Sequence, residues 1–221
     1  MLNIQTAVRE IIIQNIEACS ALTNGYMNMS GFAEQIRPQV EELTKKEISI
    51  NALVVALSRI RDELKKEKPL TYEVAISNIT TKLPISEIIY ENTSEFVSKL
   101  ESFHKKILLK REDFFTTTVS TTELNIVCSS TMTSTVLDHF GQKPKFIANN
   151  LAAVGISFDQ KYFSILNALF SLISVVARAR INIAELVSTY TELIFIIEEK
   201  DFAKTVSLFS DLHKKQMNSQ E

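Results

Sequence analysis

Apolar residues recur every three or four positions through the first third of the chain. Val8, Ile11, Ile12, Ile16 and Cys19 make one such stripe within residues 6–22, and Asn24-Gly25 then supplies a helix stop. Ser30, with Glu34 one turn further in, caps a second helix, which Pro38 is expected to bend or restart near Arg37. Ser49 caps a third, whose stripe is Leu53, Val54, Leu57, Ile60 and Leu64, and Lys68-Pro69 closes it. Residues 1–69 are therefore expected to form a helical head of three helices.

From residue 70 the pattern changes to β-branched and alternating runs separated by helical stretches. Strands are predicted at 72–79 and 86–90, a helix at 94–109, a hairpin at 114–129, a short helix at 133–140 and a strand at 145–148. The order then begins again. Residues 151–158 read as a strand, 162–178 as a helix, 182–189 and 192–198 as a hairpin, and 202–214 as a helix.

This second part contains an internal repeat. Val119-Ser-Thr-Thr-Glu-Leu124 is echoed by Val187-Ser-Thr-Tyr-Thr-Glu-Leu193, and each is followed by an apolar strand and then a helix. Those helices carry Thr135-Val136 with Phe140, and Thr205-Val206 with Phe209. A period near 70 residues in two copies points to duplication of a small domain and not to a solenoid. The fold class is α+β: a helical head followed by tandem ferredoxin-like β-α-β-β-α-β units, at 70–149 and 150–221.

Composition adds mainly exclusions. A hydrophobic content of 45% supports a real core, and 24 Lys+Arg against 26 Asp+Glu leave no global field to gather nucleic acid or anionic membrane. Cys19 and Cys128 are far apart within apolar runs, as suits buried thiols in a reducing compartment. The N-terminal residues MLNIQTAVRE show no signal-peptide pattern, so a cytoplasmic location is expected. The uncharged run 162–177 is shorter than the roughly 20 residues of a membrane span. It reads as a buried helix with Ser164, Asn167, Ser171 and Ser174 along one close-packing stripe.

His104, His139 and His213 stand apart from each other and from metal-ligand spacing. No nucleophile elbow, nucleotide loop or dinucleotide fingerprint is recognisable, so neither catalysis nor a cofactor is expected.

The stretch Ala179-Arg-Ile-Asn-Ile183, preceded by a long apolar helix and followed by Ala184-Glu-Leu-Val-Ser-Thr189, resembles the second strand of the ACT domains in the regulatory half of aspartate kinases. Leu193-Ile-Phe-Ile-Ile-Glu-Glu-Lys-Asp201 is similar to that family's third strand and second helix. The resemblance implies two ACT units packed side by side, one of them borrowing a strand from outside its own segment; residues 72–79 are expected to complete the second sheet. The sequence departs from the family in lacking a Gly-rich nucleotide loop, and its effector loop reads Ser157-Phe-Asp-Gln-Lys-Tyr-Phe163 without glycine.

An amino-acid ligand is expected at Asp159, Gln160, Tyr162, Ser164, Asn182 and Ile183. Free N–H groups at the start of the helix favour a carboxylate, and Asp159 and Asn182 can meet an ammonium. A second role fits equally, with Asp159 as a helix cap and Asn182 in a turn.

The head resembles a helix-turn-helix or winged-helix module, and Arg59, Arg61, Lys65 and Lys66 are its candidate nucleic-acid contacts. Nine Lys+Arg in the head are balanced by nine Asp+Glu, and Asp62, Glu63 and Glu67 interleave with the cluster, as on a solvated helix face. The resulting expectation is a non-catalytic, homodimeric regulator that senses an amino acid and couples it to DNA through the head, without membrane contact. The alternative is a regulatory subunit that docks on a separate biosynthetic enzyme.

Overall fold

The computed structural model describes residues 1–67 and 71–218. The chain divides into two units, Met1–Leu70 and Thr71–Glu221.

The described residues of the first unit form four helices, not three: α1 (Ile4–Gln14), α2 (Ile16–Thr23), α3 (Met29–Thr44) and α4 (Ile50–Leu64). The stripe taken as one helix over 6–22 is broken at Asn15, whose extended backbone ends α1 and whose side chain accepts from the N–H of Ala18 to cap α2. Asn28, not Ser30, caps α3, accepting from the N–H of Gly31 at 3.2 Å. α3 runs through Pro38 without a restart. Pro38 and Glu34, whose carbonyl loses its partner, are both exposed, so water can satisfy the freed group. Ser49 caps α4. Val8, Ile12, Leu22, Val40, Leu53 and Leu57 fill the core among the four helices. The described residues of this unit form no strand, so no wing accompanies the helices.

The second unit is built on one antiparallel sheet of six strands in the order β2-β3-β1-β4-β6-β5. Its elements are β1 (Ile76–Glu91), α5 (Ser94–Lys106), β2 (Phe115–Val119), β3 (Glu123–Ser129), α6 (Thr133–Phe140), β4 (Phe146–Phe158), α7 (Ala168–Arg178), β5 (Ile183–Ser188), β6 (Glu192–Glu198) and α8 (Phe202–Asn218).

Each of β1 and β4 is one long strand where the sequence pattern gave two short ones. The Leu83-Pro84 and Asn149-Asn150 breaks are absorbed without ending either strand: β1 and β4 shift register between Lys82 and Glu87, and Asn150 takes a left-handed φ of 58°. The two strands pair along their lengths, Ile79 with Ile156 and Ile88 with Ile147.

The sheet therefore has a pseudo-two-fold between β1 and β4. The later part of β1, with β2, β3 and the start of β4, makes one β-α-β-β-α-β unit. The later part of β4, with β5, β6 and the start of β1, makes the other, since residues 76–82 pair with 153–158. Corresponding positions of β3 and β6 are buried alike: Leu124, Ile126, Val127 and Cys128 in one, Leu193, Phe195, Ile196 and Ile197 in the other.

Strand alternation sends those residues to two faces. On the helix side, Ile88, Tyr90, Phe96, Leu100 and Phe140 form the first core, and Val154, Ile156, Leu172, Phe195 and Phe209 the second. On the opposite face Ile85, Val127, Leu151, Ala153 and Ile196 make a third cluster. The sheet curls around that face. Asn125 of β3 reaches Glu185 of β5 at 2.5 Å, although three strands lie between them in the sheet order.

Candidate functional site

The two halves differ most where their first strand passes into their first helix. In the first half two residues, Asn92 and Thr93, make the connection, and Thr93 caps α5 by accepting from the N–H of Phe96. In the second half the connection is residues 159–167. It holds a 3-10 turn at Gln160–Ser164, and the helix predicted to begin at 162 starts at Ala168. Asn167 takes a left-handed φ of 65° and its side chain makes no cap, so the first turn of α7 has no side-chain acceptor of its own.

This longer connection opens a cavity of about 510 Å³. Phe158, Tyr162, Phe163 and Ser164 line it from the strand end and the 3-10 turn, residues 165–170 from the helix start, and Ser188, Thr189 and Tyr190 from the β5–β6 turn. None of these residues carries a charge. The rim is aromatic and aliphatic. Phe163 and Tyr190 are 71% and 58% exposed with ring centroids 5.2 Å apart, and Leu166 stands beside them. Tyr162, by contrast, is buried. At the end of β1 the first half has a cavity of about 210 Å³, whose lining includes Glu91, Lys143 and Lys145.

Of the ligand residues expected from sequence, Tyr162 and Ser164 line the large cavity. Asp159 and Gln160 precede it, and an Asp159 carboxylate oxygen accepts from the N–H of Lys161 at 2.8 Å, capping the 3-10 turn. Asn182 and Ile183 follow the far end of α7, about 16 Å of helix away, and are not part of the lining. The candidates read from sequence did not include Phe158, Phe163, residues 165–170 or the turn residues 188–190, which also line the cavity. A signal for the latter was present. The two hairpin turns are equivalent, closed by Ser120 N–H to Glu123 O at 2.8 Å and Thr189 N–H to Glu192 O at 2.9 Å, and Tyr190 stands where the first copy has Thr121. The extra residue of the second copy falls in β5, where Ile183 and Glu185 pair with consecutive residues of β6.

In the helical unit, Arg59, Lys65 and Lys66 are exposed, and Arg61 bonds to Asp62 at 3.0 Å and to Ser58 at 3.3 Å. Steps of 100° per residue put Arg59 and Arg61 on different sides of α4, and Lys65 and Lys66 follow its end. Arg9 of α1 forms ion pairs with Glu63 of α4 and with Glu67 just beyond its end. Among the described residues no group of three His, Cys, Asp or Glu could hold a metal, and no helix is long and apolar enough to cross a membrane. Cys19 and Cys128 are buried and free, and burial pushes the Cys128 thiol up to about 11.

No family model matches this sequence, and no curated protein matches it. Solved structures do. An aspartate kinase from Clostridium acetobutylicum superposes with a TM-score of 0.52 at 15% identity, covering 67% of this chain and 37% of that one. The regulatory subunit of aspartate kinase from Thermus thermophilus superposes with a TM-score of 0.50 at 12% identity, over 63% of this chain and 97% of the subunit. An aspartate kinase from Synechocystis gives 0.52 at 9% identity, over 64% of this chain and 27% of that one. This chain thus spans little more than a third of the Clostridium enzyme. Over the covered two thirds of the chain, the fold is that of the ACT-type regulatory region of aspartate kinases.

Proposed function

We propose that this protein is a non-catalytic regulator whose second ACT-like half binds a small amino acid with an uncharged, apolar side chain in the cavity at the start of α7. The observation that carries this reading is the pairing of an uncapped helix start with a lining free of charged side chains. A helix N-terminus favours an anionic group, and here it faces no competing carboxylate. The ligand's ammonium has the Ser188 and Thr189 oxygens within the same cavity, and its side chain has Phe163, Leu166 and Tyr190. A lysine or aspartate side chain would enter without a counter-ion, which is costly wherever water is excluded.

Thermal shift and calorimetry against the twenty amino acids test this. Ligand at about 100 times its Kd stabilises a native state by about 2.7 kcal/mol, and apolar amino acids are expected to bind at least roughly tenfold more tightly than lysine or aspartate. Leu169→Glu places a carboxylate in the first turn of α7 at a position 41% exposed, so it should abolish binding without unfolding the protein. Absence of any shift across the panel, or undiminished binding by this variant, would refute the proposal.

The exposed aromatic rim favours a second reading, in which the same face docks on a partner protein as a regulatory subunit or homodimer. Along α4 and the residues just after it, Asp62, Glu63 and Glu67 interleave with Arg59, Arg61, Lys65 and Lys66, a pattern that does not favour nucleic acid.

A further inference from the structure

Residues 71–75 carry the chain from the helical unit into β1. They lie ahead of the sheet, whose ladder with β4 begins at Ile76. This strap is held through side chains. The N–H of Tyr72 donates to Ser171 Oγ at 3.2 Å, that of Ala75 to the Tyr162 hydroxyl at 2.9 Å, and that of Ile76 to Gln216 Oε1 at 3.0 Å. Gln216 Nε2 returns a bond to the Val74 carbonyl at 2.9 Å.

One of these anchors belongs to the wall of the large cavity, and a second is hydrogen-bonded to it. Tyr162 lines it directly, and its ring lies nearly parallel to that of Tyr72, with centroids 6.4 Å apart. Ser171 does not line it, but its hydroxyl donates to the carbonyl of Asn167, which does, at 2.8 Å. The two paths, Tyr162 to Ala75 and Asn167 through Ser171 to Tyr72, each run from cavity wall to strap in one or two hydrogen bonds. Displacement of the Tyr162 ring by an occupant, other than rotation about its own long axis, also moves its hydroxyl.

We infer that occupation of the cavity is transmitted to the strap through Tyr162 and the Asn167–Ser171 link, so that the segment entering from the helical unit reads the state of the site. This deepens the effector reading and depends on it for the identity of the occupant. The coupling itself is a property of the wall. By reciprocity, loosening the strap must also change the affinity of whatever binds.

The test occupies the cavity covalently, without needing the natural ligand. Thr189→Cys in the full chain, labelled with monobromobimane, places a small apolar group in the cavity; the buried Cys19 and Cys128 are poor competitors for the reagent. Hydrogen exchange of peptides covering 71–79 is compared with and without label, with α5 and α6 as internal controls. The expected result is about a fivefold change in exchange of the strap amides, the size of one neutral hydrogen bond, and none in the controls. Combining Tyr162→Phe with Ser171→Ala should reduce the difference to less than about twofold.

Should the Thr189 variant not fold, Ser188→Cys offers the neighbouring lining position, read in the same way. Unchanged strap exchange on labelling, or full transmission in the double variant, overturns the inference. A label effect together with a blank amino-acid panel keeps the coupling and rejects the effector reading; amino-acid binding without a label effect does the reverse.

Discussion

Raising the pH through neutrality should destabilise the second unit, and the cause is a pair of carboxyl groups on the concave face of its sheet. Asn125 Nδ2 donates to Glu87 Oε1 at 2.8 Å and to Glu185 Oε2 at 2.5 Å, tying β1 and β3 to β5. Burial, and then the neighbouring Glu87 carboxylate, push Glu185 up to about 7. An unfolded chain has an ordinary glutamate there, so between about pH 4.5 and 7 the native state binds more proton than the unfolded state. Stability from this group is therefore fully present in acid and is lost as pH rises through about 7.

The difference from an ordinary glutamate corresponds to roughly 3 kcal/mol at most. Partial exposure of the Glu185 side chain, and so partial screening by solvent, reduces that to about 1–2 kcal/mol. For a unit of this size the melting temperature should fall by about 3–6 °C between about pH 5 and pH 8.5. Urea unfolding and calorimetry of the native sequence and of Glu185→Gln measure it. The amide keeps the shape of a protonated acid and cannot ionise, so this variant should have a flatter stability profile and be the more stable protein at high pH. Equal profiles, or a native protein that gains stability with rising pH relative to the variant, would show that Glu185 does not hold its proton in the folded state.

Two further outcomes follow from the shared strands. Phe140→Ala and Phe209→Ala, each emptying one helix-side core, should cost about 3–5 kcal/mol apiece; because β1 and β4 run through both halves, either change should lower hydrogen-exchange protection in all four helices of the second unit and not in its own half alone. Gly155 lies beneath the 2.9 Å hydrogen bond from Thr80 Oγ1 to Glu192 Oε1, and a Cβ there would collide with both oxygens. Gly155→Ala should cost about 1 kcal/mol, and clearly less in a Thr80→Ala background, so a double-mutant cycle by urea unfolding should be non-additive by about 0.5 kcal/mol or more.

Much of this architecture was legible along the chain. The apolar stripes located the helices of the first unit because helix burial has a short period that local sequence must satisfy. Asn15 was missed because a polar residue on an otherwise periodic stripe is common, and its capping role appears only when its side chain meets the N–H of Ala18. Pro38 misled in the opposite sense, since its cost depends on whether the freed carbonyl meets water. At the candidate site, Tyr162 and Ser164 were reachable from the loop sequence, whereas residues 188–190 come from a turn on a different part of the sheet.

By itself the sequence determined the period near 70 residues, the α+β class and the matching alternation of β3 and β6, because strand burial is written in alternate residues. Only the tertiary structure decided that β1 and β4 pass unbroken through both halves, that the curled sheet brings Glu185 to Asn125, and that the start of α7 opens on an uncharged cavity. Those features depend on which distant backbone groups pair, and long-range pairing is selected by the closing of the whole sheet and not by any local stretch.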